Sequence, residues 1–196
     1  MTAIPLQLGD DAPEGLVYTS ELVSEEDERA LLRQLEQLEF HEIRMHGVVA
    51  KRTARHFGLD YDYERRGVLT GVDPIPDWLL RVRKAAAELA GVPPDDLVEA
   101  LVQDYPEGAP IGWHRDAPMF GTVVGVSLLS SARMRFRRDR GGERQLFELQ
   151  LEPRSGYVLA GPARTAWQHH VPPAKQRRYS ITFRTLRNPE RWLGSR

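Results

Sequence analysis

The composition of this 196-residue chain limits what it can be: 41% of the residues are hydrophobic and 28% are charged, enough for one packed core and one domain. The formal net charge of -1, from 27 Lys and Arg and 28 Asp and Glu, excludes a generally basic protein that coats nucleic acid and an acidic disordered tail. Because the chain has no Cys, disulfides, zinc-thiolate sites and cysteine nucleophiles are excluded, and any metal must be held by His and carboxylate.

The longest apolar stretch, near residues 120–129, is well short of the ~20 residues that a membrane helix needs. The N-terminus also lacks the basic, apolar and small-residue pattern of a signal peptide. We therefore expect a cytoplasmic protein with no membrane association and no obligate protein partner.

The N-terminal half predicts one strand and two helices. After a short strand at Leu16–Thr19, Ser24 precedes an acidic first turn and a run of leucines at helical spacing that continues to about Phe40. A second helix is predicted from about residue 76 to 90, with Pro76 at its start and Gly91 just past its end.

From Leu97 onward the hydrophobic period changes from helical to two, which predicts a β-rich C-terminal half. A hairpin turn is expected at Asp139–Gly142. Helices followed by many antiparallel strands indicate an α+β fold in which the helices cover a sandwich or jelly roll. The predicted strands are Leu97–Tyr105, Ile111–His114, Val123–Leu129, Arg133–Arg137, Gln145–Leu151, Tyr157–Ala160 and Arg178–Thr185.

A candidate metal site begins with His114 and Asp116, whose i, i+2 spacing puts both side chains on one face of an extended strand. A third donor could come from His169 or His170. Two His and one carboxylate form the facial set of non-haem iron(II) oxygenases. About one such His-x-acid pair is expected by chance in a chain with 6 His and 28 acidic residues, so this motif needs support from elsewhere.

That support comes from the C-terminal strand, residues 178–184. Tyr179, Ile181 and Phe183 face one way, as a core face does, while the alternate face carries Arg178 and Arg184 with two hydroxyl residues between them. Two guanidinium groups on one strand face are suited to gripping a small dicarboxylate, although a solvent-exposed face with surface arginines has the same pattern.

Taken together, these segments resemble the AlkB-like family of iron(II) and 2-oxoglutarate-dependent dioxygenases. The resemblance covers about residues 51–187 and consists of four ordered segments: Tyr61-Asp62-Tyr63 before Ile75-Pro76, Gln103-Asp104-Tyr105-Pro106 leading into Ile111-Gly112-Trp113-His114-Arg115-Asp116, Trp167-Gln168-His169, and Arg178 to Arg184. It implies a double-stranded β-helix (jelly roll) with covering helices, as a single domain over residues 1–196. Within that domain it implies a substrate lid at about 40–75 and a jelly-roll core at about 97–187.

The resemblance also implies the roles of individual residues. His114, Asp116 and His169 would bind Fe(II), with His170 as the reserve ligand, and 2-oxoglutarate and O2 would be the co-substrates. Arg178 would pair with the far carboxylate of 2-oxoglutarate, while Arg184 would brace either its near carboxylate or Asp116.

Three positions depart from the usual family pattern. Gln103 and Ser180 stand where well-known members have Asn, so we expect that these two residues and Tyr105 form an altered hydrogen-bond set around 2-oxoglutarate. Pro118 stands where repair enzymes often have an acidic residue that reads the base.

A basic segment at residues 44–66, interleaved with aromatics, is suited to meeting phosphates and stacking on an extruded base. We therefore expect alkylated DNA or RNA as the substrate and oxidative demethylation as the reaction. A second arginine-rich patch spans residues 133–144, and either patch could instead be a solvated face. The candidate substrate residues are Lys51, Arg52, Arg55, Tyr61, Tyr63 and Arg115.

Two alternatives stay open from the sequence. A protein or small-molecule hydroxylase could use the same scaffold, because a fold and its cofactor do not fix the substrate. A non-catalytic β-barrel binding module, in which His114 and Asp116 are structural, is the alternative from a different class.

Overall fold

A computed structural model describes residues 4–45, 47–62, 67–69 and 72–193. Four helices and a short 3-10 turn at Pro94–Asp96 accompany the strands. The helices are α1 (Glu25–Leu35), α2 (Asp77–Ala90), α3 (Gly161–Thr165) and α4 (Pro189–Leu193). The strands are β1 (Leu16–Thr19), β2 (His41–Met45), β3 (Val48–Phe57), β4 (Asp60–Asp62), β5 (Gly67–Leu69), β6 (Leu97–Tyr105), β7 (Ile111–His114), β8 (Phe120–Leu128), β9 (Ala132–Arg140), β10 (Glu143–Leu151), β11 (Gly156–Leu159), β12 (Gln168–Val171) and β13 (Arg178–Leu186).

The described strands form two main antiparallel sheets. The major sheet has seven strands in the order β1-β11-β8-β13-β6-β3-β2, and the minor sheet has four in the order β10-β9-β12-β7. A separate pair, β4 and β5, makes a two-stranded ribbon. This is the jelly-roll arrangement that the sequence predicts, with non-consecutive strands adjacent in both sheets.

Two hydrophobic clusters lie on opposite faces of the major sheet. One packs the apolar faces of α1 and α2 against the sheet and includes Tyr179, Ile181 and Phe183 of β13. The other lies between the two sheets and includes Met134, Phe136 and Trp167. The predicted core face of β13 is therefore confirmed, and its alternate face is directed between the sheets.

The two long helices begin as predicted, but α1 is shorter than expected. The Ser24 hydroxyl accepts a hydrogen bond of 3.1 Å from the amide of Asp27 and caps α1. The helix ends at Leu35 rather than near Phe40, because the chain must become extended for β2, which begins at His41. Helix α2 ends at Ala90 and is capped by Gly91, where a φ of 65° favours glycine.

Five of the described strands, namely β2, β3, β4, β5 and β12, are not indicated by sequence periodicity. β2 and β3 occupy part of the predicted lid and extend the major sheet through pairing of β3 with β6, while β12 pairs with both β7 and β9. The predicted hairpin is present, with Gly141 and Gly142 both at positive φ between β9 and β10. In the described part of the chain, no helix has the length and apolar character needed to cross a membrane.

Candidate metal centre and co-substrate pocket

A cavity of about 720 Å³ opens between the two sheets, and most of the predicted site residues line it. The lining includes His114, Asp116, His169, Gln103, Tyr105, Arg178, Ser180 and Arg184. A second groove of about 900 Å³ lies beside α1 and α2, on the other side of the major sheet, and is lined by none of these residues. The cavity between the sheets is therefore the candidate site.

The minor sheet brings the two histidines together. His114 ends β7 and lies directly opposite His169 of β12 in the antiparallel register, and their ring centroids are 4.2 Å apart. The Nδ1 of His114 donates to the carbonyl oxygen of Gly112 at 2.8 Å. This bond fixes the tautomer and leaves Nε2 of His114 as an unprotonated ligand atom.

Asp116 completes the group just beyond the end of β7. Its Oδ2 lies 3.7 Å from Nε2 of His169, and this buried oxygen has no hydrogen-bond partner in the described structure. Burial would raise the pKa of the carboxyl, but the surrounding positive groups, Arg184 first among them and Arg164 further away, together outweigh it and hold the pKa of Asp116 well below its usual range. Asp116 is therefore a carboxylate with one oxygen unoccupied.

Both imidazoles are held in their neutral form. Burial lowers the pKa of His169 to about 3 and also lowers the pKa of His114, in both cases more than the nearby Asp116 carboxylate raises it. A neutral imidazole is the form that binds a metal ion.

His170 lies outside this group. Adjacent strand residues face opposite ways, and the Nδ1 of His170 donates to the carbonyl of Ile111 at 2.8 Å while its ring packs 4.8 Å from that of Trp113. The sequence spacing allows either His169 or His170 as the third metal ligand. In the structure it is His169 that lies next to Asp116.

The three side chains suit a divalent ion. Within the described residues, no three His, Asp or Glu side chains lie as close to one another as the ligands of a bound metal ion do. Neighbouring ligands with bonds of ~2.1 Å lie ~3 Å apart, so the 3.7 Å between His169 and Asp116 is less than 1 Å from that spacing. The unsatisfied oxygen of Asp116 and the neutral imidazoles are the donor set that a first-row divalent metal takes.

Arg184 holds Asp116 in place. Its Nε and Nη2 both donate to Oδ1 of Asp116, at 3.0 and 2.8 Å, while its Nη1 donates to Oε2 of Glu99 at 2.8 Å. Of the two roles implied for Arg184, the structure favours bracing Asp116, because its guanidinium is already divided between two buried carboxylates.

Arg178 lies in the same cavity without such a partner. Its side chain is only 2% exposed, and no carboxylate of the described residues lies within ion-pair distance of it. Its guanidinium bonds the Ser127 hydroxyl at 3.1 Å and lies over the Tyr105 ring at 4.8 Å, but its Nε has no partner. Burial lowers the pKa of Arg178, because a buried cation with no counter-charge is unfavourable.

The wall around Arg178 is polar and closely fitted. Tyr105 donates from its hydroxyl to Oε1 of Gln103 at 3.1 Å, and Ser180 lies opposite Gln103 in the pairing of β13 with β6. Tyr157 also lines the cavity, with a pKa raised by burial. Its ring fits only because residue 125 is glycine, since a Cβ there would be 2.1 Å from Cζ of Tyr157.

The candidate substrate residues are divided between the cavity and the surface. Arg52 and Arg115 line the cavity, whereas Lys51 is exposed and Arg55 pairs with Asp73. Tyr61 belongs to β4, but its side chain and the whole of Tyr63 lie outside the described residues.

The second basic patch is partly neutralised within the minor sheet. Arg133 and Arg135 pair with Glu148, at 3.5 and 2.6 Å, and Arg144 pairs with Asp139 at 2.9 Å. These arginines are therefore weaker candidates for phosphate contacts than the two in the cavity.

Sequence reasoning missed two polar residues of the site, Glu99 and Ser127. Both are almost completely buried. The period of two on β6 was the available signal for Glu99, because it puts residues 99, 101, 103 and 105 on one face and all four line the cavity. For Ser127 the signal was a hydroxyl within the apolar run of residues 123–128 in β8.

Residues 15–184 match the family model of the 2OG-Fe(II) oxygenase superfamily, so the chain belongs to that superfamily. This assignment confirms an oxidoreductase and decides against the non-catalytic binding module. The family implies Fe(II) and 2-oxoglutarate with O2 as co-substrates.

Within the superfamily, the expected likeness to AlkB-like proteins is confirmed by curated relatives. The chain is 28% identical over 178 residues to the Alkylated DNA repair protein ALKBH8 homolog of Arabidopsis thaliana, a match that covers 71% of this chain and 51% of that protein. It is 27% identical over 196 residues to the tRNA (carboxymethyluridine(34)-5-O)-methyltransferase ALKBH8 of Mus musculus, covering 93% of this chain and 27% of that protein. The chain thus spans about half of the first relative and about a quarter of the second.

Solved structures show the same fold. The structure of OsALKBH1 superposes with a TM-score of 0.73 at 17% identity, covering 93% of this chain and all of that chain. A prolyl-4-hydroxylase from Pseudomonas putida superposes with a TM-score of 0.59 at 15% identity, covering 88% of this chain and 93% of that chain. The double-stranded β-helix expected from the sequence is therefore confirmed.

Proposed function

We propose that this chain binds Fe(II) through His114, Asp116 and His169, and that it oxidatively demethylates alkylated bases in DNA or RNA. The observation that carries the proposal is the buried Oδ2 of Asp116, which has no hydrogen-bond partner and faces a neutral imidazole 3.7 Å away. A buried carboxylate oxygen without a partner is costly, and a metal ion would satisfy it.

The co-substrate position follows from the charge that is left unpaired. We infer that Arg178 binds the far carboxylate of 2-oxoglutarate, because it is the buried cation of this cavity that lacks a carboxylate partner among the described residues. Arginine can bind a carboxylate through two parallel hydrogen bonds. Tyr105, Gln103 and Ser180 line the same region and supply further hydrogen-bonding groups.

In the proposed reaction, bound iron and the protein side chains have different roles. Iron with 2-oxoglutarate and O2 supplies the oxidising power that hydroxylates a C–H bond as 2-oxoglutarate becomes succinate and CO2, and a hydroxylated N-methyl group then leaves as formaldehyde. The chain orients the co-substrate through Arg178, keeps His114 and His169 unprotonated by burial, and encloses the reacting groups between two sheets, which excludes water.

A nucleic-acid substrate is supported by the names of the relatives and by the charge at the cavity. One relative is named as an alkylated DNA repair protein homologue and another as a tRNA-modifying enzyme. Arg52 and Arg115 line the cavity here, where cations can meet phosphates. Pro118 in place of an acidic residue implies that direct reading of the base differs from that of repair enzymes. The cytoplasmic location stays a prediction from the sequence.

Product analysis tests this proposal. With Fe(II) loaded anaerobically and O2 then admitted, we expect succinate from 2-oxoglutarate in the wild type. His114→Ala should lose more than the roughly 10- to 100-fold in metal affinity that an outer partner costs, and with it the turnover. Absence of succinate from the loaded wild type would contradict the enzyme assignment.

Formaldehyde release separates the substrates. We expect it from methylated DNA or RNA oligonucleotides and not from their unmethylated counterparts. Succinate formation without formaldehyde from any methylated oligonucleotide would instead favour a protein or small-molecule hydroxylase.

A further inference from the structure

We propose that Glu99 is a positioning residue for the metal centre, holding Arg184 against Asp116 and adding one negative charge beside the cation site. This inference rests on the proposed Fe(II) site. It concerns a buried carboxylate that the reaction itself does not use, because Glu99 reaches Asp116 only through Arg184.

The contacts form a continuous chain. Glu99 is 1% exposed, and its Oε2 accepts from Nη1 of Arg184 at 2.8 Å. The other two guanidinium nitrogens of Arg184 donate to a single oxygen of Asp116. Because both donors converge on Oδ1, they leave Oδ2 of Asp116 directed at His169. Glu99 thus fixes the one guanidinium nitrogen that Asp116 does not.

The pairing of β6 with β13 places Glu99 and Arg184 next to each other. Glu99 of β6 is the direct cross-strand partner of Arg184 of β13, the position at which opposite charges interact best. The register of β13 shifts immediately after Arg184 on both sides, against β6 and against β8. Regular pairing thus ends just after Arg184, which keeps the cavity-facing alternation of residues 178, 180, 182 and 184.

The charges show the direction of the effect. The carboxylates of Asp116 and Glu99 share the single guanidinium of Arg184, and Oε1 of Glu99 also contacts Nδ1 of His56 at 3.0 Å. Arg184 alone therefore does not balance the two carboxylates. With Gln at position 99, the full positive charge of Arg184 would act on Asp116 alone and would oppose a divalent cation next to it. Glu99 is therefore expected to strengthen metal binding through charge as well as through geometry.

A second carboxylate on the same strand provides a matched control. Asp104 is also paired with an arginine, since Arg177 donates to its two oxygens at 3.0 and 2.8 Å. Its neighbours Gln103 and Tyr105 line the cavity and Asp104 does not, so it lies on the other face of β6. Asp104→Asn removes a paired carboxylate from β6 without touching the site.

The test is titration of the purified full chain with Mn(II), followed by calorimetry, with thermal unfolding of each metal-free variant as the folding check. We expect Glu99→Gln to raise the Mn(II) Kd about 10- to 100-fold, the usual effect of losing an outer partner of a metal ligand, while Asp104→Asn keeps the wild-type Kd. Glu99→Asp keeps the charge but moves it, so its Kd should lie between those of the wild type and Glu99→Gln. If Glu99→Gln does not fold, the Mn(II) Kd of Glu99→Asp tests the proposal instead.

The outcomes separate the two proposals. A wild-type Kd in folded Glu99→Gln, or in Glu99→Asp when only that variant folds, overturns the role of Glu99 and leaves the Fe(II) site intact. If the wild type binds Mn(II) no better than His114→Ala does, the metal site itself is wrong, and the inference about Glu99 is overturned with it.

Discussion

Two arginines of β13, Arg184 and Arg178, line the same cavity, but only Arg184 is paired with carboxylates. At one end, Arg184 is shared between Asp116 and Glu99, and every charge has a counter-charge. At the other end, Arg178 is equally buried but contacts a hydroxyl and an aromatic ring instead of a carboxylate. Only five residues of β13 lie between these two differently paired guanidinium groups.

This difference indicates which end is assembled before the ligands arrive. The paired end is held by its own side chains, which fix the position of Asp116, one of the proposed metal ligands. The unpaired end keeps a buried positive charge at a cost in stability, which is typical of a functional site prepared for an anion. We therefore expect a structural role for Arg184 and, as proposed above, a ligand-binding role for Arg178.

The largest expected effect is on stability. Arg184→Met removes the guanidinium that two buried carboxylates share and should lower the free energy of unfolding by about 3–5 kcal/mol. Arg178→Met, of matched size, removes an unpaired cation and should leave the stability of the metal-free protein unchanged or higher. Urea unfolding of both variants measures this, and equal losses would contradict the comparison.

The next effect is on co-substrate affinity. Arg178→Met should raise the KM for 2-oxoglutarate by about 30-fold or more, because truncating one partner of a buried charge pair costs about 2–5 kcal/mol. Steady-state succinate formation measures it. Arg177→Met changes the adjacent arginine, which pairs with Asp104 instead, and is the control; a similar rise in both variants would remove Arg178 from the binding site.

The smallest effect is on the pH dependence of the metal-free protein. His169 has a pKa of about 3 in the fold and an ordinary pKa near 6.5 when unfolded, so the unfolded chain binds more protons between these values. Stability should therefore fall as the pH drops below 6.5, by at least about 1 kcal/mol from pH 7 to pH 5.5. Urea unfolding in the presence of a chelator measures it, and His169→Gln should flatten the dependence. An unchanged slope in that variant would show that His169 is not the buried neutral group.

Strand periodicity predicted one side of the site well. On β13 the alternation correctly divides a core face from a polar cavity face, because the period of a strand is fixed by its backbone. The same rule could have placed Glu99 beside Gln103 and Tyr105. Its partner Arg184 could not be deduced, since that contact depends on the register between β6 and β13, which is set by long-range pairing.

Other features depend on tertiary context in the same way. The sequence of β3 contains Lys51, Arg52, Arg55 and His56, a pattern that favours a surface segment, yet pairing with β6 makes it a strand of the major sheet. The choice of His169 over His170 rests on which face of the four-residue β12 turns inward, and the family resemblance supplied it before the structure did.

Gly125 has a bearing on how long a molecule the cavity can hold. With only a hydrogen atom at that position, the Tyr157 ring can retreat into the sheet and leave the inner chamber open. An added methyl group at position 125 would collide with the ring and force it to move within the cavity wall. In the proposed co-substrate site, the space open to a keto acid would therefore depend partly on the absence of a side chain at position 125, on a strand that carries none of the proposed metal ligands.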